Sequence, residues 1–225
     1  MLDSVENLKA KAVIWDMDGV IVDTGRYHFR AWQEAFRKRG VTFTEEAFRR
    51  NFGQRNDTIV RVTLGKDTPQ TEIDAITREK ESYFRSIVKD NIRPLPGAVA
   101  LLKSLAENGF KVGLASSAPV ENIELLTTTL GIRDCFQAIV SGREVAEGKP
   151  NPQGYLLAAQ KLGVAPKNCV VIEDAVAGLA GARRAGMHCV AVTTTHPRAS
   201  LSEADLIVET LENVSVSDLE RLIDG

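Results

Sequence analysis

Short apolar runs alternate with longer amphipathic stretches along most of this chain. The first run, Ala12-Val13-Ile14-Trp15, is rich in β-branched and aromatic residues and stops abruptly at Asp16. Such a run reads as a strand buried on both faces. Similar runs stand at Val112 to Ala115, Ala138 to Val140, Cys169 to Ile172 and Cys189 to Val192. Helical periods fall between them, at Gly97 to Asn108, Val120 to Leu130, Pro152 to Leu162 and Ala175 to Ala185. Gly109, Gly131, Gly163 and Gly186 stand where a helix C-terminus is followed by glycine, and Pro119 and Pro152 suit first-turn positions. Strands alternating with helices predict an α/β fold built on a doubly wound parallel sheet.

From Thr24 to Arg93 the rhythm changes. No strand is read there, only helical periods at Tyr27 to Lys38, Glu45 to Arg50, Asp57 to Leu64 and Thr71 to Val88. Arg93-Pro94-Leu95-Pro96-Gly97 then reads as a stiff return to the sheet. The predicted organisation is an α/β core domain over residues 1–23 and 94–225, with an α-helical domain inserted over residues 24–93. An insertion after the first strand adjoins the carboxyl edge of the sheet, where open α/β folds bind ligands.

Composition narrows the partners. With 225 residues, 44% of them hydrophobic, the chain can bury a sizeable core. Its formal net charge is −2 and its basic residues are scattered, which leaves no electrostatic footprint for nucleic acid. Met1 to Ala10 is polar and lacks the apolar segment of a signal peptide. No apolar run approaches the ~18 residues that cross a bilayer. Cys135, Cys169 and Cys189 are odd in number and far apart, and the last two sit in apolar runs as buried, inert thiols. The expectation is a cytoplasmic monomer with a small-molecule partner and neither nucleic acid nor membrane.

Candidate chemistry gathers at strand ends. Asp16-Met17-Asp18-Gly19-Val20 follows the first strand and brings two carboxylates to one turn. A calcium loop would need glycine at its sixth position and an acid at its twelfth, where Tyr27 stands. Ser116-Ser117, Gly148-Lys149-Pro150 and Glu173-Asp174 fall after other strands or before helices. Taken singly, each has an ordinary reading as a cap or a solvated loop. Together, in a parallel sheet, they converge on one edge. Four carboxylates facing one lysine there call for a hard divalent cation, and Mg²⁺ with phosphate and water suits oxygen ligands of this kind. Such a site can stabilise a phosphoryl group in transfer.

Asp-Met-Asp-Gly-Val, the serine after a second strand, Gly-Lys-Pro and Glu-Asp resemble the four motifs of the haloacid dehalogenase superfamily, in order and spacing, over nearly the whole chain. Within it, the chain resembles the branch containing β-phosphoglucomutase and sugar-phosphate phosphatases. The resemblance implies that Asp16 is the nucleophile, and that Asp18 is the general acid/base whose backbone carbonyl also meets Mg²⁺. Ser116 and the amide of Ser117 would hold the transferring phosphoryl group, which Lys149 neutralises. Asp174 would be a metal ligand, with Glu173 a ligand or its supporting partner. The helical insertion would be a cap, with Thr24 and His28 at its hinge and Gly53-Gln54-Arg55-Asn56-Asp57 as a specificity loop. Lys80 would be a further phosphate contact, although a lone lysine on a helix is ordinarily solvated. Phe52 stands where the mutases have lysine, and Ala118-Pro119 where they have Lys-Asn. These departures favour a phosphatase using a phosphoryl-aspartate over a β-phosphoglucomutase. A non-catalytic phosphometabolite-binding module is the third reading, opposed by the presence of both Asp16 and Asp18.

Overall fold

The structure, a computed structural model, describes residues 10–89 and 91–225, so the polar N-terminal stretch lies, except for Ala10, outside the described residues. The chain divides into two compact units, one running to Asp23 and resuming from Arg93 to Gly225, the other spanning Thr24–Ile92. Arg93 therefore lies with the sheet unit, one residue earlier than the sequence boundary. The reason is local: Pro94 bridges to Val22, and the Leu95 amide donates to the Ile21 carbonyl at 2.8 Å.

The sheet unit carries six parallel strands: β1 (Ala12–Trp15), β2 (Lys111–Ala115), β3 (Ala138–Val140), β4 (Cys169–Glu173), β5 (His188–Val192) and β6 (Leu206–Val208). Their order is β3-β2-β1-β4-β5-β6. The chain thus starts in the middle of the sheet and winds outward in both directions. β1 is fully buried because helices must cover both faces of such a sheet. Trp15 pairs with Leu114 on one side and Ile172 on the other, so the residue after β1 stands level with the ends of both neighbours. The switch in winding falls between β1 and β4, where ligands bind open α/β sheets.

Among the described residues, five helices flank these strands, α5 (Ala98–Glu107), α6 (Val120–Thr129), α7 (Gln153–Leu162), α8 (Val176–Arg184) and α9 (Val216–Asp224). One apolar cluster joins Ile14, Val171 and Cys189 of the sheet to Tyr155, Leu162, Leu179 and Ala182 of the helices. Pro119 and Pro152 stand at the N-caps of α6 and α7, one place before the first turn, where a missing N–H is equally harmless. The sequence reading lacked β6 and α9. β6 has only three residues, set between Asp205 and Glu209, and so offers little apolar pattern. α9 does carry a start signal, the reciprocal Ser215–Asp218 capping box.

The helical unit holds α1 (Gly25–Arg37), α2 (Glu45–Asn51), α3 (Asn56–Leu64) and α4 (Gln70–Val88). Tyr27, His28, Ala31, Trp32, Ala35 and Phe36 recur at helical spacing and bury one face of α1. Its own cluster includes Trp32, Phe36, Phe43, Phe48 and Ile76. Among the described residues, no helix is long and apolar enough to cross a membrane.

Candidate active site

Three buried carboxylates, Asp16, Glu173 and Asp174, meet at the carboxyl edge of the sheet, offering oxygens that all lie within 4.8 Å of one another. Asp16 extends β1, its amide donating to the Ile172 carbonyl at 3.0 Å, while Glu173 ends β4. After Asp16 the chain folds back, with the Ile21 amide bonded to the Met17 carbonyl and the Gly19 amide to that of Val22. Gly19 adopts a φ of 88°, and a Cβ there would lie 2.0 Å from Asp174 Oδ2. Likewise a Cβ on Gly178 would lie 1.9 Å from Glu173 Oε1. These two glycines provide the space that the acids occupy.

Lys149 is the cation among them. Its ammonium donates to both Asp16 Oδ1 and Glu173 Oε1. The same Oε1 accepts the Tyr155 hydroxyl at 2.6 Å, while Oε2 accepts the amides of Asp174 at 2.9 Å and Ala175 at 3.0 Å. Burial alone would raise the Glu173 carboxyl. The Lys149 charge and the hydrogen bonds from Lys149, Tyr155 and Ala175 reverse this and hold it below the ordinary range. Burial also opposes the charge on Lys149, but Asp16 and Glu173 hold its ammonium well above the usual value. For Asp16, burial pushes the carboxyl up to about 7, with Lys149 working against that and Glu173 and Asp18 adding to it. Burial, then Glu173 and Asp16, raise Asp174 in the same direction. Three buried acids with one lysine carry excess negative charge on hard oxygen donors, and a divalent cation fits that donor set.

Asp18 stands two residues further along, in the turn after β1, with its carboxylate outside this trio. Ser116 begins the loop after β2, its amide bonded to the Val140 carbonyl at 3.0 Å and its Oγ accepting the Ala118 amide at 3.1 Å. Ser117 follows it on the same edge. Two residues absent from the sequence reading stand beside Asp174. Thr195 donates its hydroxyl to the Asp174 carboxylate, and His196 Nδ1 lies 3.1 Å from the Asp174 carbonyl. Both follow β5, so the strand-end rule that found the other acids could have found them. Tyr155 had no such signal, since a tyrosine on the apolar face of α7 reads as core.

The remaining candidates belong to the helical unit. His28 Nδ1 lies 2.9 Å from Lys80 Nζ, and the His28 ring stacks on Phe84 at 4.0 Å. Lys80 is not the solvated lysine that its isolation suggested: it is 2% exposed and donates to Glu81 Oε1 at 2.7 Å. Asn56 donates to that same oxygen at 2.7 Å. The signal was present, because Ile73, Ile76, Lys80, Phe84 and Val88 form one helical stripe of α4. Arg55 makes a two-pronged pair with Asp57, Gly53 turns with a φ of 81°, and Thr24 is buried at the N-cap of α1.

A family model described as haloacid dehalogenase-like hydrolase matches residues 10–186. The chain belongs to that family. Two curated relatives of this haloacid dehalogenase-like hydrolase illustrate the family's chemistry. It is 36% identical to a fructose-1-phosphate phosphatase of Escherichia coli over 181 residues, covering 80% of this chain and 95% of that protein. It is 35% identical to the β-phosphoglucomutase of Bacillus subtilis over 220 residues, covering 94% of each. Among solved structures, a β-phosphoglucomutase from Clostridium difficile superposes with a TM-score of 0.85 at 29% identity, covering 96% of this chain and 97% of that one. The protein is an enzyme, a phosphatase or phosphomutase of this family.

Proposed function

We propose that the protein is a Mg²⁺-dependent phosphohydrolase of small sugar phosphates, working through a phosphoryl-aspartate on Asp16. The observation that carries this reading is the single Lys149 ammonium held between Asp16 and Glu173, with Asp174 alongside. In this scheme an Asp16 carboxylate oxygen attacks phosphorus and the ester P–O bond breaks. Asp18 gives its proton to the departing alkoxide. Water then attacks the phosphoryl-aspartate, Asp18 takes a proton from it, and inorganic phosphate leaves with Asp16 restored. Lys149, with the Ser116 hydroxyl and the Ser117 amide, holds the charge of the phosphoryl oxygens. Asp16, Asp174 and the Asp18 carbonyl would hold Mg²⁺, with Glu173, whose oxygens already accept four hydrogen bonds, as their supporting partner; the ion when bound would offset the buried acids and withdraw charge from the phosphoryl group. To the helical unit we assign substrate selection, through Thr24, His28, Gly53, Arg55 and Lys80.

Water rather than a sugar hydroxyl is the favoured acceptor because a mutase must also hold a second phosphate. Pro119 lacks an N–H, Val120 is an exposed apolar residue, and Arg143 in the neighbouring loop is matched by Glu121 at 2.8 Å. Arg55 is likewise matched by Asp57. A well-held hydroxyl gains an effective molarity of roughly 10⁵–10⁸ M, and without that hold water at about 55 M prevails. The buried His28–Lys80 pair favours the second reading, a β-phosphoglucomutase. The deciding experiment supplies β-glucose 1-phosphate with catalytic glucose 1,6-bisphosphate and follows glucose 6-phosphate and free phosphate together. Phosphate release should outpace isomerisation; rapid glucose 6-phosphate formation with negligible phosphate would establish the mutase instead. Chelation should abolish turnover, and Mg²⁺ should restore it far better than Ca²⁺, whose larger and looser coordination displaces the reacting groups.

A further inference from the structure

The Glu173 carboxylate accepts four hydrogen bonds at the sheet edge. An ionised carboxylate presents about four lone-pair positions. Here Lys149 and Tyr155 converge on Oε1 and two main-chain amides converge on Oε2. The amides come from β4's own continuation into α8 and are therefore fixed by the fold. Lys149 is shared with Asp16 and so pulls Oε1 towards the reacting side. The Tyr155 hydroxyl is the remaining donor, and the only one of the four supplied by α7.

Tyr155 is placed with care that core packing alone does not require. It is 1% exposed, its hydroxyl lies 2.6 Å from Glu173 Oε1, and its ring centroid lies 5.4 Å from Lys149 Nζ. A phenylalanine would fill the same apolar volume between the helices. Two glycines of α8, one turn apart, admit this arrangement. Gly178 leaves room for the Glu173 carboxylate, and a Cβ on Gly181 would press to 3.2 Å of Tyr155 Cε2.

We propose that Tyr155 is a positioning residue: its hydroxyl fixes the Glu173 carboxylate, which in turn holds the Lys149 ammonium against Asp16. The inference rests on the phosphoryl-aspartate reading above. Without the hydroxyl, Oε1 keeps only the lysine it shares with Asp16, so it can turn about the amide-held Oε2 and carry the Lys149 ammonium with it. The ammonium then no longer stands at one place relative to the nucleophile. Because it meets the phosphoryl group most strongly as charge develops, the loss falls on kcat rather than on KM.

The test uses the full chain with saturating Mg²⁺ and p-nitrophenyl phosphate. Tyr155→Phe should lower kcat about 10–100-fold, as loss of a supporting hydrogen bond to a site ligand does, with KM nearly unchanged. Glu173→Gln should also lower kcat, and adding Tyr155→Phe to it should do little further harm, because both act through one contact. If Tyr155→Phe retains wild-type kcat, or the two substitutions multiply as independent effects, the inference is overturned. Should Tyr155→Phe not fold, Gly181→Ala carries the test, since its Cβ displaces the ring without removing the hydroxyl. A fall in kcat of about threefold or more is then expected, and an unchanged kcat overturns the inference. Asp16→Asn, measured in parallel, separates the two levels. If that variant is dead while Tyr155→Phe is normal, only the role of Tyr155 falls. If Asp16→Asn keeps turnover, the phosphoryl-aspartate reading falls with it.

Discussion

In the helical unit the buried Lys80 ammonium meets one carboxylate, Glu81, and the two charges cancel. In the sheet unit the Lys149 ammonium meets two carboxylates, Asp16 and Glu173, with Asp174 alongside. Two like charges at the 4.8 Å limit of that group repel by about 3–4 kcal/mol at an effective dielectric of 20. One cluster pairs its lysine with a carboxylate, and the other sets more carboxylates around its lysine than that lysine can neutralise. Burying ionisable groups is common to both. What separates the two clusters is the unbalanced remainder at the sheet edge.

On the proposed phosphoryl-aspartate reading, Asp16→Asn should break this contrast most severely. An amide is no nucleophile towards phosphorus, so turnover should fall at least about 10⁴-fold, the scale on which nucleophile removal acts. Formation of a phosphorylated enzyme, followed with labelled substrate under acid quench, should vanish as well. Near-normal turnover would remove Asp16 from the reaction.

A smaller but still large effect is expected in the helical unit. Glu81→Gln leaves the Lys80 charge buried without its counter-charge, at a cost of about 3–5 kcal/mol of stability in urea unfolding. Replacing both partners together, Lys80→Met with Glu81→Leu, should recover most of that loss. If the single variant unfolds like the wild type, the pair is not the closed unit described here.

The smallest effect has the opposite sign and sharpens the contrast. A carboxyl whose native value is raised costs stability above its unfolded value, and the cost grows as pH rises towards the native one. Asp174 is raised by burial and by its acidic neighbours. In chelator at pH 8, Asp174→Asn should therefore stabilise the protein by about 0.5–2 kcal/mol while abolishing activity, a trade of function against stability. Destabilisation by this variant would show that the sheet-edge acids are not in net repulsion.

Much of the fold was legible because strands buried on both faces leave short, compact apolar runs; β1, β2, β4 and β5 all announce themselves in this way. β6 did not: β3 is as short and also lies at an edge, but Leu206-Ile207-Val208 is framed by Asp205 and Glu209 in an acidic stretch that masks its apolar character. At the site, Asp16, Lys149, Glu173 and Asp174 could be read because the topology of a parallel sheet gathers its strand ends. Tyr155 could not, since its contribution is one oxygen on a side chain whose bulk is ordinary core. Lys80 was visible but undervalued, because a charge on an apolar helical stripe shows its burial only when the stripe is counted. Glu81, buried beside it at the edge of the same stripe and one turn before Phe84, would have been counted with it.

The position of β1 at the centre of the sheet also bears on how the protein is made. Lys149 lies 133 residues beyond Asp16, and β4, which pairs with β1, follows later still. At about 5–20 residues per second, a ribosome needs roughly seven to thirty seconds to span that interval. Until then Asp16 has neither its β4 neighbour nor Lys149 beside it. The residues of the helical unit, by contrast, emerge as one uninterrupted segment and can collapse first. Lys149 and β4, which leave the tunnel late, are what turn Asp16 into a buried, perturbed acid, so chains truncated before Glu173 cannot carry the assembled site.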